Sequence, residues 1–285
     1  MDKDTPSYFH KPSEINRCTE PAKIKEVEYN TEGSILSYTT GESLKLFSAN
    51  NLSVRNIITA NIDKYKFLQE HTLIHSTGTD MFYLSVYDNK YLREFKSHEA
   101  PINSISVNSD ADTIMSVTNK EILMWDIRKE SPIKKLNAFH SLAALSNHCN
   151  YAVASNSFIR IYDIRNDSQP LVYKAIPSNF YKKISYSPDG SFIILKTESS
   201  YTFLDSYGET SNFITLESPN DGDITPDSQF LLCPSKFYIF AYRISDRKKV
   251  DSINTKNDCN RIVRVNPYGN QFVVTAEKTI QLFNI

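Results

Sequence analysis

The chain has 285 residues, of which 40% are hydrophobic, and a net charge of −1 at pH 7. A near-neutral chain carries no global basic field, so no direct sequence-specific nucleic-acid binding is expected. The count of only 7 glycines argues against the glycine-rich loops that cradle phosphates. No apolar run approaches the ~18 residues of a membrane span, and the polar N-terminus lacks an apolar signal core, so no membrane association is expected.

The cysteines stand singly along the chain, at Cys18, Cys149, Cys233 and Cys259. No C-x-x-C pair occurs, which favours buried free thiols over a zinc or redox motif. The pattern predicts a reducing, intracellular compartment.

The N-terminal segment precedes a series of repeats. Residues 1–12 are expected to be flexible, and residues 13–18 (Ser-Glu-Ile-Asn-Arg-Cys) are expected to form a strand. The reason lies at the other end of the sequence, where the seventh repeat reaches only its third strand at Ile285. Because an unpaired sheet edge invites association, we predict that residues 13–18 supply the outer strand of the last blade.

One strand-and-turn pattern recurs through the rest of the chain. Its clearest copies are residues 122–128 (Ile-Leu-Met-Trp-Asp-Ile-Arg) and 158–165 (Phe-Ile-Arg-Ile-Tyr-Asp-Ile-Arg). The position of Trp125 returns at intervals of 37 to 42 residues, and we assign it to Phe47, Leu84, Trp125, Tyr162, Leu204, Ala241 and Phe283. Repeat six therefore has an alanine where an aromatic is expected. A period near ~40 with a Trp-Asp-like ending is typical of a four-stranded WD-repeat propeller blade.

A turn between the first two strands recurs in step with this period. It reads Asn-Thr-Glu-Gly at 30–33, Ser-Pro-Asp-Gly at 187–190 and Asn-Pro-Tyr-Gly at 266–269, each rich in turn-forming residues. Apolar residues one, three and six places before the turn predict a bulge in the first strand. Together the repeats predict an all-β fold: a single seven-bladed propeller over residues 1–285, closed by the N-terminal strand.

Structural roles are expected for polar and aromatic residues within the blades. His98, Ser116 and Trp125 of repeat three hold polar-network positions usual in such blades, with His98 bonding to the second strand. Because Asn119 or Lys120 stands where an Asp is expected, we predict an incomplete network. Asp126 and the equivalent pair Tyr162 and Asp163 are also assigned structural roles.

No catalytic motif stands above chance. The sequence lacks G-x-S-x-G, G-x-x-x-x-G-K-[ST] and H-E-x-x-H, so no enzymatic activity, catalytic residue, cofactor or metal is expected. His71 and His75 would share a helix face, but on the flanks of a strand this spacing says little about metal binding.

Aromatic residues in the loops between blades are the candidate partner-binding residues. Phe139 with His140, and Phe180 with Tyr181, lie in loops that join the last strand of one repeat to the first of the next. Exposed aromatics on a rigid rim are common anchors of protein interfaces. The alternative is that these side chains fold down onto their own blades.

Residues 83–95 (Tyr-Leu-Ser-Val-Tyr-Asp-Asn-Lys-Tyr-Leu-Arg-Glu-Phe) are more specific than a general WD repeat. They resemble a second-blade motif of the small WD-repeat subunit of COMPASS-type histone lysine methyltransferase complexes, which is shared with RNA 3′-end cleavage and transcription-termination machinery. Residues 124–128, 161–165 and 224–230 support the resemblance, in the same order and at similar spacing.

The resemblance implies a nuclear, non-catalytic scaffold. Its expected partners are the N-terminal region of the methyltransferase, other complex subunits and 3′-end processing factors. A WD-repeat adaptor in ubiquitin ligation or trafficking is the alternative within this fold. A propeller enzyme is a third class, and it would require carboxylate or histidine clusters that the sequence does not offer.

Overall fold

The computed structural model describes residues 12–96, 98–108, 110, 112–137, 141–148, 150–155, 157–166, 168–176, 180–206, 214–217, 220–256 and 261–285. The regular elements in these ranges are 28 β-strands, arranged in seven four-stranded antiparallel sheets. This is the architecture of a seven-bladed β-propeller, and it confirms the predicted fold class. Each sheet is called a blade below. Within the described ranges, no helix is long and apolar enough to cross a membrane.

The blades fall into two compact units, and the prediction of one domain over residues 1–285 stays a prediction. The first unit comprises the described residues up to Ala60 and those from Leu216 onward. Its blades are blade 1, with β2 (Glu26–Tyr29), β3 (Ile35–Thr39), β4 (Ser43–Ser48) and β5 (Val54–Thr59); blade 6, with β22 (Asp223–Ile224), β23 (Phe230–Pro234), β24 (Tyr238–Arg243) and β25 (Lys249–Asn254); and blade 7, with β26 (Ile262–Val265), β27 (Gln271–Thr275), β28 (Thr279–Asn284) and β1 (Ser13–Thr19).

The second unit spans Asn61–Thr215. Its blades are blade 2, with β6 (Lys64–Gln69), β7 (Thr72–Thr77), β8 (Asp80–Ser85) and β9 (Lys90–Lys96); blade 3, with β10 (Ser104–Asn108), β11 (Thr113–Val117), β12 (Glu121–Asp126) and β13 (Lys134–Asn137); blade 4, with β14 (Leu142–Leu145), β15 (Asn150–Ala154), β16 (Phe158–Asp163) and β17 (Val172–Ala175); and blade 5, with β18 (Lys183–Tyr186), β19 (Phe192–Lys196), β20 (Ser200–Asp205) and β21 (Ile214–Glu217), where the unit ends.

The N-terminal strand completes blade 7, as the sequence predicts. β1 pairs antiparallel with β28, from Ser13 opposite Asn284 to Thr19 opposite Thr279. The strand is one residue longer than the predicted 13–18, and residues 1–11 of the segment expected to be flexible lie outside the described residues. The side chains of β1 are mostly exposed, so its contribution is chiefly the backbone hydrogen bonds that cover the edge of β28.

Strand pairing corrects the assignment in repeat six. In blade 3, Trp125 lies opposite Ile114, the second residue of its partner strand. In blade 6 the residue opposite the equivalent Leu231 is Tyr242, with Ala241 one place earlier. Repeat six therefore has an aromatic at this position after all, and the assignment to Ala241 was wrong by one residue.

The first strands contain no bulge at the predicted place. Ile24 and Ile102 are buried, but they precede β2 and β10, whose pairing with the next strand is regular. The bulge prediction was therefore wrong, because the third apolar position belongs to the loop that enters the blade. Bulges occur instead between the third and fourth strands, as at Leu46/Phe47 of blade 1, and in the first strand of blade 2 at Phe67/Gln69, next to its turn.

Neighbouring blades within a unit are joined by an apolar layer and by hydrogen bonds between turns. Trp125 lies in a layer formed by blades 2 and 3, against Phe95 with ring centroids 5.2 Å apart. At the turn after β10, Asn108 Nδ2 donates to the Ser146 carbonyl of blade 4 over 2.8 Å. In the first unit, Asn266 Nδ2 donates to the Gly33 carbonyl over 2.9 Å. These bonds keep buried turn groups paired, which is the condition for burying them at all.

Candidate functional site

A hydrogen-bonded chain of side chains holds Trp125 in blade 3. The indole Nε1 donates to Ser116 Oγ over 2.9 Å, and Ser116 Oγ lies 2.6 Å from His98 Nε2. His98 Nδ1 lies 2.9 Å from Glu121 Oε1. An ionised carboxylate only accepts, so His98 donates from Nδ1 and accepts the Ser116 proton at Nε2. Each polar group in this hydrogen-bonded series thereby has a partner within the blade. The structural role assigned to His98, Ser116 and Trp125 stays a prediction.

The network is complete, so the prediction that it lacks a member was wrong. Glu121, on β12, supplies the carboxylate expected in the turn before it, and Lys135 Nζ of β13 lies 2.6 Å from its other oxygen. Burial works to raise the pKa of Glu121, but the hydrogen bonds from Lys135 and His98 bring it below its usual value. Burial lowers the pKa of His98, against the attraction of Glu121. The sequence signal was a glutamate five residues after Ser116.

The aspartates at the ends of β12 and β16 organise the turns that follow. Asp126 accepts from the backbone N–H and the Nε of Arg128, at 2.9 and 2.8 Å. Asp163 repeats both contacts with Arg165, at 2.8 and 3.0 Å. These hydrogen bonds lower the pKa of each carboxyl to about 2. Beside Asp163, Tyr162 stacks on a tyrosine of β15, Tyr151, at 4.9 Å.

Histidines do not gather with other ligands in the described part of the chain. His75 is 1% exposed and stacks on Phe82 with ring centroids 5.1 Å apart, whereas His71 is half-buried and lies 3.4 Å from Glu70. Among the described residues, no group of three His, Cys, Asp or Glu side chains could hold a metal ion. Cys18 and Cys233 are free thiols, and only Cys233 is buried.

Phe180 lies at the edge of a shallow depression on blade 5, within the second unit. Its side chain is 85% exposed, and Lys182, Thr197 and Glu198 line the depression beside it. Lys182 forms an ion pair with Glu198 across this depression, between the loop entering β18 and the turn after β19. The geometry offers an aromatic anchor beside a paired positive and negative charge.

The other predicted rim residues differ from Phe180. Tyr181 is half-buried and packs on the apolar layer between blades 4 and 5, with Ile184 among its members. It has therefore folded onto the blades, which was the alternative interpretation. Phe139 and His140 lie outside the described residues. Lys182 and Glu198 were not predicted as part of this surface, because their pairing depends on two loops that are adjacent only in the folded blade.

The sequence pattern described as "WD domain, G-beta repeat" matches residues 89–126. In the structure this stretch contains all of β9 of blade 2 and the first three strands of blade 3, including the network around Trp125. Residues 89–126 thus form a WD repeat. The sequence repeat is therefore offset from the blade by one strand, because its first part forms the outer strand of the preceding blade.

Several curated proteins are similar to the chain. "Set1 complex component swd2" of Schizosaccharomyces pombe is 26% identical, with 73% of this chain and 67% of that protein covered. "WD repeat-containing protein 82" of Drosophila melanogaster is 30% identical, with 58% of each covered. "COMPASS component SWD2" of Saccharomyces cerevisiae is 23% identical, with 91% of this chain and 90% of that protein covered. In four of the matches the chain spans only about half to two thirds of the relative's length. The protein is related to the Swd2 components of these complexes.

Proposed function

We propose that this protein is a non-catalytic interaction scaffold in a COMPASS-type histone lysine methyltransferase complex. The observation that carries the proposal is similarity to the COMPASS component SWD2 along 91% of this chain. The Set1 complex component swd2 of a second yeast matches 73% of it. Two relatives, each named as a component of a multisubunit complex and each aligned over several blades, favour such a role over other uses of the fold.

The partners in this proposal are proteins. The N-terminal region of the methyltransferase, or a neighbouring subunit, docks at Phe180 and the Lys182–Glu198 pair. A rigid blade already holds this exposed ring, so little ordering is required when a partner binds. The scaffold changes the recruitment or stability of the methyltransferase and supplies no reacting group, and it needs neither nucleic-acid nor membrane contact.

Nuclear localisation follows from membership of such a complex. The same propeller is proposed to serve transcription-termination and RNA 3′-end processing factors, on the resemblance carried by residues 83–95 and supported by residues 124–128, 161–165 and 224–230. A WD-repeat adaptor in ubiquitin ligation or trafficking is the second candidate, because the fold by itself serves many assemblies.

Affinity purification of the tagged chain from nuclear extract of its own cells tests the proposal, with bound proteins identified by mass spectrometry. Methyltransferase subunits are expected in the eluate, and their yield falls with Phe180→Ala. Tyr268→Ala is the matched control, since Tyr268 is 68% exposed on a turn of blade 7, outside residues 83–95. Recovery of ligase or coat subunits in place of methyltransferase subunits contradicts the proposal. Equal losses with both variants contradict the assignment of the Phe180 surface.

A further inference from the structure

An exposed aromatic pair with an arginine lies on one face of blade 4. Phe158 of β16 and Tyr173 of β17 stack with ring centroids 5.2 Å apart and planes inclined by 17°. The guanidinium carbon of Arg160 lies 5.4 Å from the centre of the Tyr173 ring. Phe158 is 39% exposed and Tyr173 is 56% exposed, and Leu171 beside them is 61% exposed. Phe158, Arg160, Leu171 and Tyr173 are called the blade 4 surface.

Strand pairing explains why these side chains meet. Arg160 lies directly opposite Tyr173, so both point to the same face of the sheet, and Phe158 is two residues along the same strand. Nearer the middle of the sheet this face packs on blade 3 through Tyr151, whose hydroxyl lies 3.0 Å from Lys134 Nζ. The side chains of the outermost strand, β17, on this same face lie outside the contact with blade 3. An apolar surface is thus left open beside an outer strand.

The charge of this surface is positive and unbalanced. Among the described side chains, no carboxylate lies within ion-pair distance of Arg160, and no Asp or Glu occurs on this face of β15, β16 and β17. Arg128 and Arg165 behave differently, because each is held by an aspartate two residues earlier. The stacked guanidinium therefore keeps its hydrogen-bond donors available to a carboxylate from elsewhere.

We propose that the blade 4 surface binds an extended acidic segment of a protein partner. An apolar side chain of that segment covers the Phe158–Tyr173 pair, and a flanking carboxylate pairs with Arg160. Aromatic and arginine side chains are the types that carry most binding energy at protein interfaces. This site is separate from the depression at Phe180, so the scaffold would hold two partner segments at once.

The surface fits an acidic peptide better than a nucleic acid. Single-stranded nucleic acid also stacks on aromatic rings, but it needs a groove of several cations that follows the phosphates. The chain has a net charge of −1, and the blade 4 surface provides one unpaired arginine. One carboxylate of a peptide is enough to pair with Arg160, and the rings of Phe158 and Tyr173 favour contact with an apolar side chain of the same peptide.

Peptide selection against the whole chain tests the proposal. A display library of random peptides of about 12 residues, a length typical of segments that bind in extended form, is panned on the wild-type protein and on the double variant Arg160→Glu/Tyr173→Ala. The expected result is a set of peptides selected only by the wild type, enriched in Asp and Glu around a large apolar residue. One such peptide, fluorescently labelled, then binds about tenfold or more weakly to each single variant than to the wild type.

Matched variants separate specific docking from general attraction. Arg55→Glu reverses the charge of an exposed arginine on the outer strand of blade 1 and is expected to leave binding unchanged, while Tyr173→Phe retains binding. The melting temperature of each variant is measured to check that it folds. The proposal is overturned by identical peptide sets from wild type and double variant, by equal weakening with Arg55→Glu, or by tighter binding of a labelled thymidine oligonucleotide than of the selected peptide.

Discussion

Ser116 Oγ joins the indole of Trp125 to the imidazole of His98 and so connects three strands or loops through one hydroxyl. Trp125 itself is fully buried against Phe95. Loss of the indole removes both this apolar contact and the hydrogen bond. An aromatic side chain exposed in a loop has neither the apolar contact nor the hydrogen bond, so its loss should have little effect on stability.

Trp125→Ala should lower the free energy of unfolding by about 3–5 kcal/mol, as expected for truncating a buried aromatic side chain. Phe180→Ala should leave that free energy within about 0.5 kcal/mol of wild type, because the ring is solvent-exposed. Urea unfolding of the two variants measures the contrast. Similar losses for both would show that Phe180 is part of the packed blade and not of an interaction surface.

His75→Phe should change how stability depends on pH. Burial lowers the pKa of His75 to about 4 from its usual 6.5. Below about pH 6.5, His75 is therefore protonated in the unfolded chain while it is still neutral in the folded chain. The stability contributed by neutral His75 is complete above this pH and is lost as pH falls from about 6.5 towards 4.

At about pH 5 the phenylalanine variant should be more stable than wild type by about 2 kcal/mol, since each unit of pKa shift corresponds to about 1.4 kcal/mol. At about pH 7.5 the difference should be small, because neither ring nitrogen of His75 has a hydrogen-bond partner of ordinary geometry among the described residues. Unfolding curves at the two pH values provide the measurement. His71→Phe, at a histidine that is only half-buried, is the control, and an equal gain in stability there would contradict the role of burial.

At the scale of elements, β1 closes blade 7 by backbone pairing. Deletion of residues 1–19 should leave the edge of β28 uncovered and cause aggregation, because unpaired N–H and C=O groups of an edge strand recruit other chains. Deletion of residues 1–11 is the control and should leave the protein monodisperse in size-exclusion chromatography. A 1–19 deletion that stays monodisperse and equally heat-stable would contradict this role.

The turns are a second feature of element scale. Gly33 adopts a φ of +61°, and a Cβ there would lie 2.2 Å from the Asn266 side-chain oxygen. The glycine thus serves both the left-handed turn and the approach of blade 7 to blade 1. Its place in the turn is visible in the sequence, whereas the approach of Asn266, more than two hundred residues away, is not.

At the scale of the molecule, one buried arginine links the three blades of the first unit. Arg264 on β26 lies 2.6 Å from Asp221, which precedes β22, and 4.0 Å from Glu28 on β2. Asp223 is also close, since it accepts from the N–H of Val265 over 2.9 Å. Burial acts to lower the pKa of Arg264, but these three carboxylates hold it well above its usual value.

Arg264→Met should destabilise the protein by about 3–5 kcal/mol, because it leaves buried carboxylates without their cation. Arg128→Met removes an arginine from an exposed pair with Asp126 and should cost less than about 1 kcal/mol. Thermal unfolding compares the two variants at equal net charge change. Equal losses of stability in the two variants would show that the buried Arg264 cluster stabilises the protein no more than an exposed ion pair does.

The sequence by itself determined the repeat, the number of blades and the closing strand. Strand alternation and turn chemistry are local properties, and a period near ~40 residues repeats them often enough to identify the blade. Local patterns also identified His98, Ser116 and Trp125. They failed by one residue at Tyr242, where only pairing with Leu231 fixes the register.

Tertiary structure alone decided which polar and aromatic residues meet. Glu121 completes the network from a strand because the folded turn brings His98 to it. Arg264 of blade 7 meets acidic side chains from two other blades, 1 and 6. Phe158, Arg160 and Tyr173 come together through the pairing of β16 with β17. Contacts of this kind depend on the spatial distance between segments that are far apart in the sequence, and on the register in which their strands pair. A sequence period contains no information about either.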